Sequence, residues 1–203
     1  MWDPGNAREV ADTGPDFLGF IFYPGSKRYV GANPDAALFQ QITGGIMQVG
    51  VFVNENPERV LELASDYALN LVQLHGSETA QYCQTIRSAG YKVIKAFGVD
   101  AGFDFDNLAP YLPVCDYFLF DTKSDLHGGS GLKFGWEKIQ QYNFGIPFFL
   151  SGGIDPNDSG AIREIKHPAF FAVDINSLFE VEPGMKNVNQ VKAFIKEIKT
   201  VEP

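Results

Sequence analysis

Short runs of apolar residues recur along the chain at a nearly constant spacing. Seven such runs begin at residues 17, 47, 71, 92, 117, 147 and 170, so successive starts lie 21 to 30 residues apart. Examples are FLGFIF, MQVGVFV and YFLF. Runs with little polar alternation are typical of strands that are covered on both faces, as in a parallel sheet. The pattern therefore predicts seven buried parallel strands.

Amphipathic stretches of helical periodicity separate these runs. In NPERVLELASDY one stripe is apolar, and the same period holds through ETAQYCQTIRSAG until Gly90 and again in NQVKAFIKEIK near the end. At the amino terminus, Asp3 and Pro4 match an N-cap followed by proline at the first helical position. A helix is therefore expected almost from the first residue.

Alternating strands and helices form either an open doubly wound sheet or a closed (β/α)8 barrel. No GxGxxG fingerprint follows an early strand, which favours the barrel. Such a barrel has eight strands, each followed by a helix, whereas this chain starts with the helix. We therefore predict a single α/β domain over residues 1–203, an N-terminally truncated (β/α)8 TIM barrel that lacks strand 1. We expect a gapped barrel, a barrel closed by a neighbouring chain, or poor stability.

The composition narrows the class of partner. The net charge of −9, from 25 acidic and 16 basic residues, argues against nucleic acid and anionic membranes as partners. No apolar run approaches the roughly 20 residues of a membrane span, and no signal peptide is evident. Two cysteines, Cys83 and Cys115, favour a reducing, cytoplasmic location. The three histidines are scattered, so we expect no metal site.

Chemistry in a barrel is expected where the strands end at their carboxyl termini. Asp121 ends the apolar run YFLFD, where it could donate a proton in a partly dry mouth or merely cap a loop. Arg28 could hold a carboxylate or lie on the surface. His75 in QLHG could face a ligand or only bind a neighbouring loop.

Two small-residue segments follow the last two predicted strands. In SGGID, Gly152 and Gly153 would let backbone N–H groups approach a phosphate, and DINS contributes Asn176 and Ser177. Barrels often bind phosphate in these two loops. The alternative is that the glycines simply turn the chain into the next helix.

Six motifs in one order carry a resemblance that spans the chain: GFIFYPGSKRYV, VGVFVN, VQLHGSE, FLFDT with GGSG after it, LSGGIDPN and VDINSLFE with PGMKN after it. The chain resembles phosphoribosylanthranilate isomerase of tryptophan biosynthesis. The resemblance implies a barrel that converts N-(5-phosphoribosyl)anthranilate to 1-(2-carboxyphenylamino)-1-deoxyribulose 5-phosphate. This Amadori rearrangement needs neither metal nor cofactor, and its substrate is a small phosphosugar.

The resemblance also implies residue roles. Asp121 is expected to be the general acid that opens the sugar ring, with Arg28 near the anthranilate carboxylate and His75 and Asp174 in contact with the substrate. The phosphate is expected at Gly152, Gly153, Asn176 and Ser177, with Gly129 and Ser130 closing over it. The protein is expected to be a monomer or a homodimer.

The general base is the exception. In the resembling family it is a cysteine at the end of strand 1, just before the residues that match WDP, and Met1 aligns after it. Two further departures are Leu178, where the family often has glycine, and Gly135, where the family has the aspartate of Phe-Asp-Trp. We therefore expect impaired turnover. The alternatives are a noncatalytic phosphosugar-binding or regulatory barrel protein, and a related barrel isomerase or aldolase that acts on another phosphosugar.

Overall fold

The central feature of the fold is a sheet of seven parallel strands that follow one another in chain order. A computed structural model describes residues 1–122 and 135–200 of the chain. The strands are β1 (Phe17–Ile21), β2 (Met47–Phe52), β3 (Leu71–Leu74), β4 (Lys92–Val99), β5 (Tyr117–Thr122), β6 (Phe148–Leu150) and β7 (Phe170–Val173). Every apolar run is thus a strand, and the predicted parallel sheet is confirmed.

The helices cover the outside of this sheet. They are α1 (Pro4–Ala11), α2 (Ala37–Gln40), α3 (Pro57–Asp66), α4 (Ala80–Ser88), α5 (Ser159–Arg163) and α6 (Val188–Lys199). At the start of α1 the Asp3 carboxylate accepts a hydrogen bond from the Asn6 backbone N–H at 2.7 Å, as its N-cap role predicts.

The predicted alternation of strands and helices is wrong in two details. The helix between β4 and β5 is a 3-10 helix, Phe105–Tyr111, and so is the helix in the described part of the connection between β5 and β6, Trp136–Gln141. Pro110 lies inside the first of them, where a missing N–H disfavours a longer α-helix. In addition, a small antiparallel hairpin, β8 (Glu180–Glu182) and β9 (Met185–Lys186), precedes α6 and was not predicted.

Two hydrophobic cores lie on opposite faces of the sheet. The inner core comprises Val49, Leu71, Ile94, Ala96, Leu119 and Phe149, whereas the alternate residues of the same strands pack against the helices. The Phe17 ring of β1 lies 5.2 Å from that of Phe149 and 6.1 Å from that of Phe171, centroid to centroid. The first strand therefore meets the last two, and the sheet is curled around the inner core.

The sheet is nevertheless open between β7 and β1. Among the described residues, each of these strands has one hydrogen-bonded neighbour in the sheet. A groove of about 780 Å³ lies at their amino-terminal ends, where Phe17, Met47 and Phe171 form part of its wall. The helical layer continues across this opening, because α1 contacts both α2 and α6. The gap thus lies in the sheet and not in the surrounding helices.

Candidate active site

The carboxyl ends of the strands carry polar side chains on the face that encloses the inner core. Successive side chains of a strand point to opposite faces. Because Leu71, Leu119, Phe149 and Ala172 contribute to the inner core, residues two positions later face the same way. These residues are Gln73, Asp121, Ser151 and Asp174. The apolar interior therefore ends in a polar layer at the mouth of the barrel.

His75 and Asp121 meet within this layer. The His75 Nε2 atom lies 3.3 Å from Asp121 Oδ2, and both side chains are partly buried. On the other side of the ring, Gln73 Nε2 lies 2.9 Å from His75 Nδ1. An amide N–H can only donate, so Nδ1 is the acceptor in this contact and the N–H of Nε2 points toward Asp121. His75 thus contacts the predicted acid, and not only a neighbouring loop.

Asp174 is the second carboxyl of the mouth. Burial raises its pKa, and the charge of Asp121 raises it further, while Lys186, His75 and a hydrogen bond from Ser151 act in the opposite direction. The Ser151 Oγ atom lies 3.3 Å from Asp174 Oδ2. A carboxyl whose pKa is raised beside a second carboxyl is a common arrangement for proton transfer. Nothing in the sequence pattern predicted that Asp174 would have the raised pKa.

Gly152 forms the tightest backbone approach of the site. Its φ of +90° is one that residues with a side chain rarely adopt. A Cβ atom there would lie 2.4 Å from the Thr122 backbone nitrogen and 2.7 Å from Asp121 Oδ1. Gly153 follows with a φ of +66°. Glycine at position 152 therefore lets the loop after β6 contact the end of β5, whether or not a phosphate binds there.

Arg28 is engaged with a carboxylate of the chain itself. Its Nε and Nη2 atoms donate to the Glu180 carboxylate at 2.7 to 2.9 Å. The Arg28 side chain is 12% exposed and that of Glu180 is 4% exposed. A buried, two-pronged pair of this kind fixes the plane of the guanidinium. The surface alternative for Arg28 is therefore wrong.

Lys186 joins the same cluster from β9. Its Nζ atom donates to Glu180 Oε1 at 2.9 Å and to the side-chain and backbone oxygens of Asn176 at 2.6 and 2.9 Å. Burial lowers the pKa of Lys186, although Glu180 opposes the shift. Sequence reasoning missed Glu180 and Lys186 as site residues, because both lie in the unpredicted hairpin. Their only signal was the resemblance motif that contains them.

The Met1 amine lies beside this cluster. Burial, with a smaller contribution from Lys186, lowers the pKa of the Met1 ammonium to about 5. The Met1 residue is itself 6% exposed. The neighbouring Trp2 packs against the hairpin turn, where its indole N–H donates to the Pro183 carbonyl at 3.0 Å. The first residues of the chain thus contact the hairpin that holds Arg28.

Lys95 lies within β4 and faces away from the mouth. It alternates with Ile94 and Ala96 of the inner core, so its side chain points toward the helices. There its Nζ atom lies 3.1 Å from Glu78 Oε2, and both side chains are almost completely buried. Glu78 in turn accepts hydrogen bonds from the backbone N–H groups of Asn54 and Gly76. This pair stabilises two loops of the mouth from below.

The other predicted residues are placed as follows. Ser177 begins a one-turn 3-10 helix after Asn176, whereas Gly129 and Ser130 lie outside the described residues. Cys83 and Cys115 are both buried in the outer core, away from the polar layer.

Over residues 1–122 and 135–200, three or more His, Cys, Asp or Glu side chains nowhere converge as a metal ligand set would. No helix in that part of the chain is long and apolar enough to cross a bilayer.

Comparison with known proteins decides the family. A family model described as N-(5'phosphoribosyl)anthranilate (PRA) isomerase matches residues 3–197. The chain belongs to the PRA isomerase family. This membership confirms the resemblance found in the sequence.

Individual members of the PRA isomerase family match almost the whole chain. The N-(5'-phosphoribosyl)anthranilate isomerase of Parabacteroides distasonis is 44% identical over 202 residues, which cover 98% of this chain and 90% of the relative. A PRA isomerase solved with reduced 1-(o-carboxyphenylamino)-1-deoxyribulose 5-phosphate superposes with a TM-score of 0.81 at 33% identity, covering 98% and 95% of the two chains.

A third comparison is a solved monomeric form of the dimeric enzyme of Thermotoga maritima. It superposes with a TM-score of 0.78 at 34% identity, and the match covers 98% of this chain and 95% of the relative. The curled seven-stranded sheet is thus the barrel fold of PRA isomerases.

Proposed function

We propose that this chain catalyses the isomerisation of N-(5-phosphoribosyl)anthranilate to 1-(2-carboxyphenylamino)-1-deoxyribulose 5-phosphate in tryptophan biosynthesis. Family membership over residues 3–197 supports the reaction class. The observation that carries the assignment to this site is the contact of His75 with Asp121 at the mouth. A partly buried carboxyl that His75 holds in one orientation is positioned to exchange a proton with a sugar oxygen.

Asp121 is the proposed general acid. It protonates the ring oxygen of the furanose, the bond from that oxygen to C1 breaks, and the nitrogen lone pair forms a C1–N double bond. A base then removes the proton on C2, which gives an enolamine. The enolamine gains a proton at C1 and loses its hydroxyl proton to become the ketone. The steps move protons and one double bond only, so they need no metal or cofactor.

The other substrate contacts follow the geometry of the mouth. The backbone at Gly152 and Gly153 lies next to Asp121, and we place the substrate phosphate there, with Asn176 and Ser177 on its far side. Asp174 faces the sugar, because it lies in the same polar layer as Asp121. Arg28 is assigned to the anthranilate carboxylate.

The opening between β7 and β1 is the proposed position of the first strand of an eight-stranded barrel. That strand would pair with both open edges and would end beside Met1, in the neighbourhood of Lys186 and Glu180. The resemblance assigns the catalytic cysteine to this end. The two cysteines of the chain, Cys83 and Cys115, are buried beneath the helices and do not reach the mouth. We therefore expect the 203-residue chain to bind the product analogue but to turn over slowly.

The deciding experiment compares this chain with an extended chain in which a strand ending in Lys-Val-Cys-Gly is added before Met1. Formation of the rearranged product is followed by chromatography. We expect the extended chain to be faster by about 10² to 10⁴, the usual contribution of one general base. Changing the added cysteine to serine and, separately, Asp121→Asn should each abolish the gain.

Two results would overturn parts of this proposal. Full turnover by the 203-residue chain would show that the added cysteine is not needed. Failure of the extended chain to form product, although it binds the reduced product analogue, would favour a noncatalytic phosphosugar-binding role or another substrate.

The dimeric Thermotoga maritima relative also makes a homodimer the proposed assembly. Sedimentation would test that assembly.

A further inference from the structure

We propose that Glu180 is a positioning residue that presents one edge of Arg28 to the carboxylate of the substrate. The inference rests on the proposed function, because it concerns how the anthranilate ring is held. Glu180 lies in the β8–β9 hairpin and does not need to touch the substrate itself. Its effect passes through Arg28 and through Lys186.

The bonding of the Arg28 guanidinium supports this role. Glu180 takes the Nε hydrogen and one hydrogen of Nη2. A guanidinium has five N–H donors in a planar fork, so the edge formed by Nη1 and the second Nη2 hydrogen is left. Within the described residues, no hydrogen-bond acceptor occupies that edge. It has the geometry that binds a carboxylate in two-pronged fashion.

The charges of the cluster hold Arg28 in one orientation. The buried Glu180 carboxylate faces two cations, Arg28 and Lys186. Burial alone would raise the pKa of Glu180, but the hydrogen bond from Arg28 and the charge of Lys186 outweigh it, so the net shift is downward. Glu180 is thus ionised and binds both cations, while the Asp174 carboxyl also acts on Lys186. The cluster therefore fixes the Arg28 guanidinium, whose remaining N–H groups are available to a ligand carboxylate.

The hairpin that carries Glu180 is itself held in place. Asn6 of α1 bonds both the backbone N–H and the carbonyl of Lys186, at 2.8 and 3.0 Å. The Gly184 backbone N–H donates back to Glu180 Oε1 at 3.2 Å. The Arg28 plane is therefore fixed before a ligand arrives, so little side-chain entropy is lost on binding.

The test measures the affinity of two ligands by calorimetry. One is reduced 1-(o-carboxyphenylamino)-1-deoxyribulose 5-phosphate, and the other is the same molecule without its carboxyl group. We expect Glu180→Gln to weaken binding of the carboxylated ligand by about tenfold, because one charge-assisted contact loses its alignment. Binding of the ligand without the carboxyl should change less than about twofold.

Glu182→Gln is the matched control, because Glu182 is an exposed carboxylate of the same hairpin. It should leave both affinities unchanged, and circular dichroism should show that each variant is folded. Equal weakening of both ligands by Glu180→Gln would mean a merely structural role, and tighter binding of the carboxylated ligand would mean that Glu180 competes with the substrate. Either result overturns the inference. If the unmodified chain binds neither ligand, the proposed function itself falls.

Discussion

The Nε2 atom of His75 lies 3.3 Å from Oδ2 of Asp121, while Gln73 contacts the other nitrogen of the same ring. Three side chains from two strands and one loop thus form a line that ends on the proposed general acid. A carboxyl held on one side is limited in rotation, and its second oxygen accepts a hydrogen bond from the Thr122 backbone N–H at 2.8 Å. The orientation of Asp121 is therefore set before substrate binds.

Replacement of His75 should slow the chemical step. In the extended chain we expect His75→Ala to lower kcat by about tenfold or more, because Asp121 loses the contact that orients it. KM should change less than kcat. Steady-state kinetics measures both. His167→Ala is the control: this histidine contacts the Tyr142 carbonyl at 2.9 Å, far from the polar layer, and should lower stability only. Equal effects of the two changes on kcat would contradict the proposed role.

Gly152→Ala should damage both the fold and the site. The residue has a φ of +90°, and its new Cβ atom would meet the Thr122 backbone at 2.4 Å. We expect the free energy of unfolding to fall by about 2–4 kcal/mol, as measured by urea denaturation. Gly160→Ala is the opposite case, since Gly160 lies in α5 and its Cβ would have open space. That change should stabilise the protein by about 0.5–1 kcal/mol. A tolerated alanine at 152 would show that the β5 and β6 loops can separate.

Asp174→Asn should raise the melting temperature of the protein and lower its activity. Burial raises the pKa of Asp174 in the folded chain, so the folded state disfavours the carboxylate. The acid therefore costs stability above its folded pKa, and this cost disappears as the pH falls toward the unfolded value. We expect the asparagine variant to melt about 2–4 °C higher at pH 7.5, which corresponds to about 1 kcal/mol. The advantage should shrink in acid. A difference in melting temperature that is independent of pH would contradict this assignment.

The buried pair of Lys95 and Glu78 gives a fourth prediction. Lys95→Met removes one partner and leaves the buried Glu78 carboxylate without its counter-ion, so the free energy of unfolding should fall by about 3–5 kcal/mol. The double variant Lys95→Met with Glu78→Gln should recover part of this loss. Arg59→Met removes the exposed pair of Arg59 with Glu62 and should have no measurable effect. Denaturant titration of the unmodified protein and these three variants measures the differences.

The sequence predicts the strands better than the connections between them. Runs such as YFLF are apolar on both faces, so both faces of the strand must be buried, as they are in a parallel sheet covered by helices. The 3-10 helix at Phe105–Tyr111 could not be read from periodicity, because a short segment with Pro110 inside it carries too few turns. The β8–β9 hairpin is likewise only a few residues long.

The candidate site was predicted in position but not in its internal contacts. Asp121, His75 and Asp174 lie together because each follows a strand, which is a consequence of barrel topology. The pairing of Arg28 with Glu180 joins residues 152 positions apart, and no local pattern encodes such a contact. The outward direction of Lys95 follows from its register in β4 between Ile94 and Ala96, which an apolar run without polar alternation does not reveal.

Because side chains alternate along each strand, neighbouring positions differ in what a substitution there would affect. Along β5, Phe118 and Phe120 belong to the outer core, whereas Leu119 and Asp121 face the interior and its mouth. A complete mutational scan of this strand should thus give loss of protein abundance at the buried positions Phe118, Leu119 and Phe120, and loss of activity at constant abundance at Asp121. Chemistry at the mouth can therefore change in evolution without disturbing the layer beneath the helices, one residue away in the chain.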